Sequence, residues 1–401
     1  MINISKVTGF FFFIFTAVII LAVPKFSHGA GPVSIGIIHW EEFTYSTMMR
    51  NSHRMALETI NKEGGINGRP LELVYADDHG NRTSGEQAVR DLNNRGVVML
   101  VGGYGSSNTM YTAGMADKLD IPFLISTAAD DRITQQDWKN VYRMNPPAQE
   151  YARGVEELLL KKIKPKSISI IYENSPYGTG GALRMMWFCR EHDIEIQKII
   201  PYHKERTGQG YYHKLLTPLQ GDSPDVIYMV SYLNDAVTIV KKIRELKINS
   251  LLIGGAGGFT SPRFIDMAGG AADNLLTATL WTRQLPYPGT QDYYDNYFRT
   301  YSTDPDYHGA EAYSVLRVAA DVLRRAESMS PDDIRKALDK TDMQTAFGPV
   351  KFKSYGNFDR QNVLPTMVLQ ALNDNYECVW PGSVATAKFS PPLAGRLNDK
   401  N

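Results

Sequence analysis

Two cysteines in 401 residues, Cys189 and Cys378, exclude a disulfide scaffold, so a large apolar core has to stabilise the chain. Neither charge is in excess. Lysine plus arginine and aspartate plus glutamate each total 43, which withholds the basic surface a phosphate backbone demands and argues against a nucleic-acid partner. The eight histidines are scattered, with no H-E-x-x-H and no Cys/His cluster, so ligand spacing gives no metal site. No G-x-S-x-G or G-x-x-x-x-G-K-[ST] occurs, which sets aside a serine nucleophile elbow and a nucleotide triphosphatase. A dinucleotide fingerprint fails as well: GYGSSN (103–108) lacks the third glycine and GGAGGF (254–259) departs from the pattern, so no cofactor is expected. The acid pairs Asp77–Asp78 and Asp130–Asp131 lie on loops, where carboxylates ordinarily serve as caps and turns, and no enzyme activity is expected of them.

The one long apolar run sits at the start, from Gly9 to Val23, after Lys6 and before small residues at Ser27 to Gly31. This is the layout of a secretory signal at residues 1–29, with cleavage after Gly29 or Ala30 and an exported, periplasmic or extracytoplasmic product. The run is short for a membrane span of about 20 residues. No cysteine lies near the cleavage region, so a lipid anchor is not expected. The leader carries Lys6 and Lys25 and no acid, and its removal leaves the chain near neutral.

What remains has the length of two domains and is 43% hydrophobic over the whole chain. Short apolar runs alternate with amphipathic stretches: VSIGII (33–38), a helix through RNSHRMALETINKEGG, LELVYADD (71–78), a helix near SGEQAVRDLNNRG, then VVMLVGG (97–103). Buried runs each followed by a helix predict a parallel sheet covered on both faces, a doubly wound α/β unit. The pattern restarts after NPPAQ (145–149). SISIIYEN (167–174), IEIQKIIPY (194–202), DVIYMVSY (225–232) and SLLIGGAG (250–257) read as strands, with helices near 177–192, 209–219 and 233–247. A helical region (308–328), a capped helix from Ser330 with Pro331 at its first position, and a hairpin-like GPVKFKSYGNFDRQ complete the chain.

Ligands of open α/β sheets bind beyond the carboxyl ends of the strands, which points to the loops after residues 38, 101, 125, 173, 230 and 254. Within VGGYGSSNT (101–109), Ser106 and Ser107 stand where a strand gives way to a helix. Their hydroxyls and the free amides of the first turn can take an anion, aided by the helix dipole. A serine here also serves as a simple helix cap.

The ordered set RMALETINKEGGINGRPLEL (54–73), VGGYGSSNT, IPFLIST (121–127), VYRMNPP (141–147), IIYENSPYGTGG (170–181), DVIYMVSY and YGNFD (355–359) resembles the type I periplasmic solute-binding proteins of ABC importers, in their leucine/isoleucine/valine-binding branch. The resemblance covers nearly all of the chain after the leader. It implies two doubly wound lobes joined by crossover hinge strands, residues 31–146 with 280–353 and residues 147–279 with 354–390, closing on a small ligand. It implies a receptor that hands its ligand to a membrane permease; a sensory receptor of the same fold is the alternative. By the same resemblance Ser106 binds the ligand carboxylate, and Tyr45, Tyr177 and Tyr232 are pocket aromatics, with Tyr104 beside them.

Two departures bear on the ligand. The loop STAADD (126–131) is one residue short of the branch's pattern and lacks its threonine at the matching place, leaving main-chain groups of Ala128 and Ala129. In IGGAGGF, Ala256 stands where the branch places a glutamate that holds the ligand's ammonium. A buried ammonium without a partner costs several kcal/mol, against about 8 kcal/mol for the whole of a micromolar affinity. An α-amino acid therefore needs another acid, from Glu41, Glu42, Asp130, Glu173 or Asp235. Otherwise the ligand is an aromatic or aliphatic carboxylate resting on Trp40, Phe43, Tyr104 and Phe259.

Overall fold

A computed structural model describes residues 31–203, 206 and 209–391; the expected signal peptide at 1–29 lies outside the described residues. The first run of elements is β1 (Val33–His39), α1 (Ser46–Lys62), β2 (Leu71–Asp77), α2 (Arg82–Asn94), β3 (Met99–Gly102), α3 (Ser106–Lys118), β4 (Phe123–Ile125) and β5 (Val141–Arg143). After α4 (Arg153–Leu158) a second run follows: β6 (Ser167–Glu173), α5 (Pro176–Glu191), β7 (Glu195–Tyr202), α6 (Gln209–Leu216), β8 (Val226–Val230), α7 (Leu233–Glu245), β9 (Leu251–Gly254), α8 (Pro262–Ala268) and β10 (Leu276–Thr279). The chain then forms α9 (Thr290–Tyr301), α10 (Tyr307–Arg325) and α11 (Pro331–Asp339). It ends with β11 (Asp342–Gln344), β12 (Pro349–Lys351), β13 (Lys353–Tyr355), β14 (Phe358–Gln361), β15 (Met367–Leu372) and β16 (Asn375–Trp380).

These strands make two seven-stranded sheets, ordered β13-β14-β5-β4-β3-β1-β2 and β16-β15-β10-β9-β8-β6-β7, with β11 and β12 as a separate pair. The pairs linking β1 to β5 and β6 to β10 are parallel, as their buried apolar runs require, whereas β15 joins β10 antiparallel. Helices α5 and α11 begin where the sequence supplies caps. Ser175 accepts from the Gly178 amide ahead of Pro176, and Ser330 accepts from the Asp333 amide ahead of Pro331. Gly178 also has a steric reason, because a Cβ there would stand 1.9 Å from the Glu173 carbonyl oxygen at the end of β6.

Three passages cross between the sheets: from β5 into α4, from β10 toward α9, and from β14 to β15. Helices α9 and α10 return to the first unit, where Tyr293 meets Ser52 of α1 at 2.8 Å and Arg317 pairs with Glu63 at 2.7 Å. The third passage corrects the expected change of lobe after residue 353. β13 and β14 form an antiparallel hairpin on the first sheet, and Gln361 pairs with Arg143 of β5, so the chain leaves that sheet only after residue 361. The hairpin-like reading of 348–361 holds for β13 and β14, while β12 turns back to pair with β11.

One apolar cluster runs through both units, from Val33 and Ile35 to Val368 and Cys378. Further clusters fill the outer faces, under α6, α7 and α8 in the second unit and under α2 and α3 in the first. Cys189 and Cys378 are buried free thiols, and burial pushes them up to about 12 and about 11, so they remain protonated and unreactive. Among the described residues no helix is long and apolar enough to cross a membrane.

Candidate functional site

The loops singled out at the strand ends converge. Tyr104 and Ser106 after β3, Thr127 and Ala129 after β4, Tyr177 after β6, Tyr232 after β8 and Gly257 after β9 surround one small cavity, together with Tyr151, Tyr307 and His308. The loop after β1 stands beside it, where the Phe43 ring lies 3.9 Å from that of Tyr104 and Tyr45 stacks on His308 at 3.9 Å. The cavity holds about 20 Å³. That is room for a water molecule and no more, so the two sheets' loops are shut on one another. The Tyr45 hydroxyl donates to the Gly257 carbonyl at 3.3 Å, and Phe43 meets Tyr232 edge-on at 6.1 Å, both across the seam. An organic ligand can enter only when these rings part.

Four helices aim their N-termini at this point. Ser106 begins α3, Tyr177 is the second residue of α5, Tyr232 precedes α7, and Tyr307 and His308 begin α10. Each presents the positive end of its dipole, an environment suited to an anion, although Ser175 already caps the Gly178 amide of α5 and Asp306 the His308 amide of α10. No basic side chain among the lining residues is needed for that preference. Burial pushes the hydroxyls of Tyr104, Tyr151, Tyr177, Tyr232 and Tyr307 up, so all are neutral donors at physiological pH.

Ser106 is the informative side chain. It does not cap its helix; its Oγ accepts from the Ala129 amide at 3.1 Å and the Asp130 amide at 3.2 Å. Both lone pairs are thereby occupied, and the hydroxyl proton is left to donate. Ser106 is therefore selective for an acceptor such as a carboxylate oxygen.

Other sequence-based expectations fare unequally. Ser107 is exposed and outside the cavity wall. It faces away because successive helical residues point about a quarter-turn or more apart. Ala128 and Ala129 were expected to present main-chain groups, yet their amides donate to the Gly103 carbonyl and to Ser106 Oγ, and their carbonyls accept from Arg143 and Ala148. The loop instead contributes Thr127, although no threonine matches the branch's position. Tyr45 supports the wall from behind His308, while Tyr177 and Tyr232 line it, the former donating to the Gly255 carbonyl at 3.1 Å.

Ala256 is 0% exposed, and it is Gly257 that reaches the cavity. Its φ of 65° and ψ of −147° fall in a region that side chains other than glycine rarely adopt. Ala256→Gly is expected to raise stability by about 1 kcal/mol. Relief of strain of about 1–3 kcal/mol outweighs about 0.8 kcal/mol for the buried methyl. The urea midpoint checks this; a lower midpoint would show that packing of the methyl dominates.

None of the five acids considered from the sequence is at the cavity. Glu41 pairs with Arg50, Glu42 is exposed, Asp130 holds Arg132 at 2.7 Å, Asp235 accepts from Tyr212 at 2.7 Å, and Glu173 lies at the end of β6. Trp40 packs on Phe43, and Phe259 packs on Phe264 within the second unit. Sequence reasoning missed Tyr151, Tyr307 and His308. A signal existed for the last two, since Asp306 accepts from the His308 amide at 2.9 Å and caps α10, but that helix follows no strand.

Two seven-stranded sheets, three crossings and a shut meeting of loops between them define a two-lobed solute-binding protein. The profile of the periplasmic binding protein family matches residues 42–375, and the chain belongs to that family, with the fold of its type I members. It is 24% identical over 396 residues to Leu/Ile/Val-binding protein homolog 7 of Brucella melitensis, covering 93% of this chain and 98% of that one. Its fold is similar to that of the branched-chain amino acid transporter substrate binding protein LivJ of Streptococcus pneumoniae in complex with isoleucine, with a TM-score of 0.78, 22% identity and coverage of 86% and 98%. It is also similar to an ABC transporter solute binding protein of R. palustris in complex with benzoate, with a TM-score of 0.76, 15% identity and coverage of 92% and 99%. The family is extracytoplasmic.

Proposed function

We propose that this protein captures a small organic acid between its lobes and delivers it to a membrane permease. The ligand is an amino acid or an aromatic or aliphatic carboxylate. The observation that carries this reading is Ser106, whose two accepting positions are filled by backbone amides so that only its proton is free, at the head of a helix among four that converge. Isoleucine and benzoate, the ligands of the two structural relatives, share the carboxylate and little else. Residues 31–146 with 280–361 would form one lobe and 147–279 with 367–390 the other, and closing them buries the ligand against Tyr104, Tyr177 and Tyr232. The leader at 1–29 serves export; N-terminal sequencing of the exported protein checks its cleavage.

Isothermal titration of the exported protein with L-leucine, L-isoleucine, benzoate and 4-methylpentanoate tests the reading. Micromolar binding of at least one is expected, and heatless titrations with all four would sink it.

Closure carries a pH signature. Asp131 sits at the seam, accepting from the Gln149 amide at 3.3 Å beside Gly180 of α5, and burial pushes it up to about 6 against the opposing pull of Arg143, with Asp130 and Glu150 adding to the rise. Hydrated by opening, it returns to about 4. The closed form therefore binds the proton more tightly. Closure is favoured below pH 4, loses that advantage as pH rises to 6, and carries a constant cost above. Asp131→Asn should raise ligand affinity at pH 7 by about tenfold after solvent screening and flatten its pH dependence between 4 and 6. Parallel slopes for variant and parent would remove Asp131 from closure.

A further inference from the structure

None of the ten residues around the cavity is an acid, yet the helix that supplies Tyr307 and His308 to it also carries the buried Glu311. Glu311 is 0% exposed, and neither of its oxygens has a partner in good hydrogen-bond geometry among the described residues. Few arrangements are less favourable for a carboxyl group, since buried polar atoms are nearly always partnered. Its direction follows from α10. Glu311 lies four residues after Tyr307 and three after His308, and such residues share one helix face. That face is the cavity wall. Thr127, a wall residue, stands close enough to hydrogen-bond the carboxyl weakly, and Tyr151 and Arg143 feel its charge. Burial pushes the carboxyl well up against the pull of Thr127 and Arg143, and a cation brought beside it would favour its charged form, its proton passing to solvent. The neighbouring acid is half engaged: Asp306 Oδ1 takes both the amide and the Nδ1 of His308, at 2.9 and 3.1 Å, while its Oδ2 has no hydrogen-bond partner among the described residues.

We propose that Glu311 receives the positively charged nitrogen of an amine-bearing carboxylate ligand, so that this protein is a receptor for amino acids whose ammonium is held from the first lobe. The inference rests on the carboxylate-receptor reading and narrows it. Both charged ends of the ligand then dock on one lobe, the carboxylate on Ser106 and the ammonium on Glu311. The second lobe closes over the side chain with Tyr177 and Tyr232. An unpartnered carboxyl kept ready in the wall is also a stability cost retained for function.

Calorimetry and thermal melting of the parent, Glu311→Gln and Glu311→Leu test this, with L-leucine and L-isoleucine against two amine-free acids, 4-methylpentanoate, which is leucine without its amine, and benzoate. The parent should bind an amino acid and ignore the amine-free acids. Glu311→Gln should weaken that binding at least a hundredfold with an unchanged melting temperature, and Glu311→Leu should abolish it while melting higher. A merely structural Glu311 would instead melt lower in both variants, which overturns the proposal. Unchanged amino-acid affinity in Glu311→Gln overturns it too. Tight benzoate or 4-methylpentanoate binding indifferent to Glu311 overturns it while leaving Ser106 and the receptor reading intact. If the parent binds none of the four, the receptor reading fails and the proposal with it.

Discussion

Arg143→Met is expected to lower the unfolding free energy by about 3 kcal/mol or more, a large fraction of the roughly 5–15 kcal/mol that holds a domain together. Arg143 is 0% exposed, and its guanidinium donates to Gln361 Oε1 at 2.6 Å, the Asp130 carbonyl at 2.6 Å, Thr134 Oγ1 at 2.9 Å and the Ala128 carbonyl at 3.3 Å. Methionine fills similar space with no donor, so buried carbonyls that cannot reach water lose their partner. The same residue joins β5 to the β14 strand and props the loop that carries the Ala129 and Asp130 amides. Ligand affinity should therefore fall along with stability. Urea unfolding measures the first effect, and a loss below about 1 kcal/mol would show that the loop satisfies itself with water.

Ser106→Ala is expected to weaken ligand binding by about tenfold to a hundredfold, the worth of one hydrogen bond to a charged group at about 1.5–3 kcal/mol. The effect is selective because the serine can only donate. Alanine also strands two backbone amides, so a stability loss of about 1–2 kcal/mol accompanies it, leaving a folded protein. Calorimetry on the folded variant separates the two. An affinity equal to the parent's would remove Ser106 from the site, and the helix N-termini alone would then account for the anion preference.

Much of this site was legible along the chain because its elements are local. A strand end followed by a serine and a helix is a pattern within ten residues, and Ser106 could be picked out from it. The alternative of a helix cap could only be settled by seeing where Oγ points, toward amides 23 and 24 positions away. The acids illustrate the limit from the other side. Glu41, Glu42, Asp130, Glu173 and Asp235 were drawn from loops near strand ends, while Glu311 sits inside a helix where an acid ordinarily marks a solvated face. Nothing local distinguishes it from one.

The sequence by itself determined the two α/β units, the chain order of most of their strands and helices, and the strand-end loops that surround the cavity. Burial period, caps and turn residues act between near neighbours, and near neighbours are what a sequence records. Tertiary structure alone decided that β13 and β14 return to the first sheet, and that α10 brings Tyr307, His308 and Glu311 beneath loops some 200 residues earlier. Tyr45 bonds Gly257 across 212 positions for the same reason. Those meetings depend on how crossing strands and packed helices fold back, a property of the whole core rather than of any stretch of it.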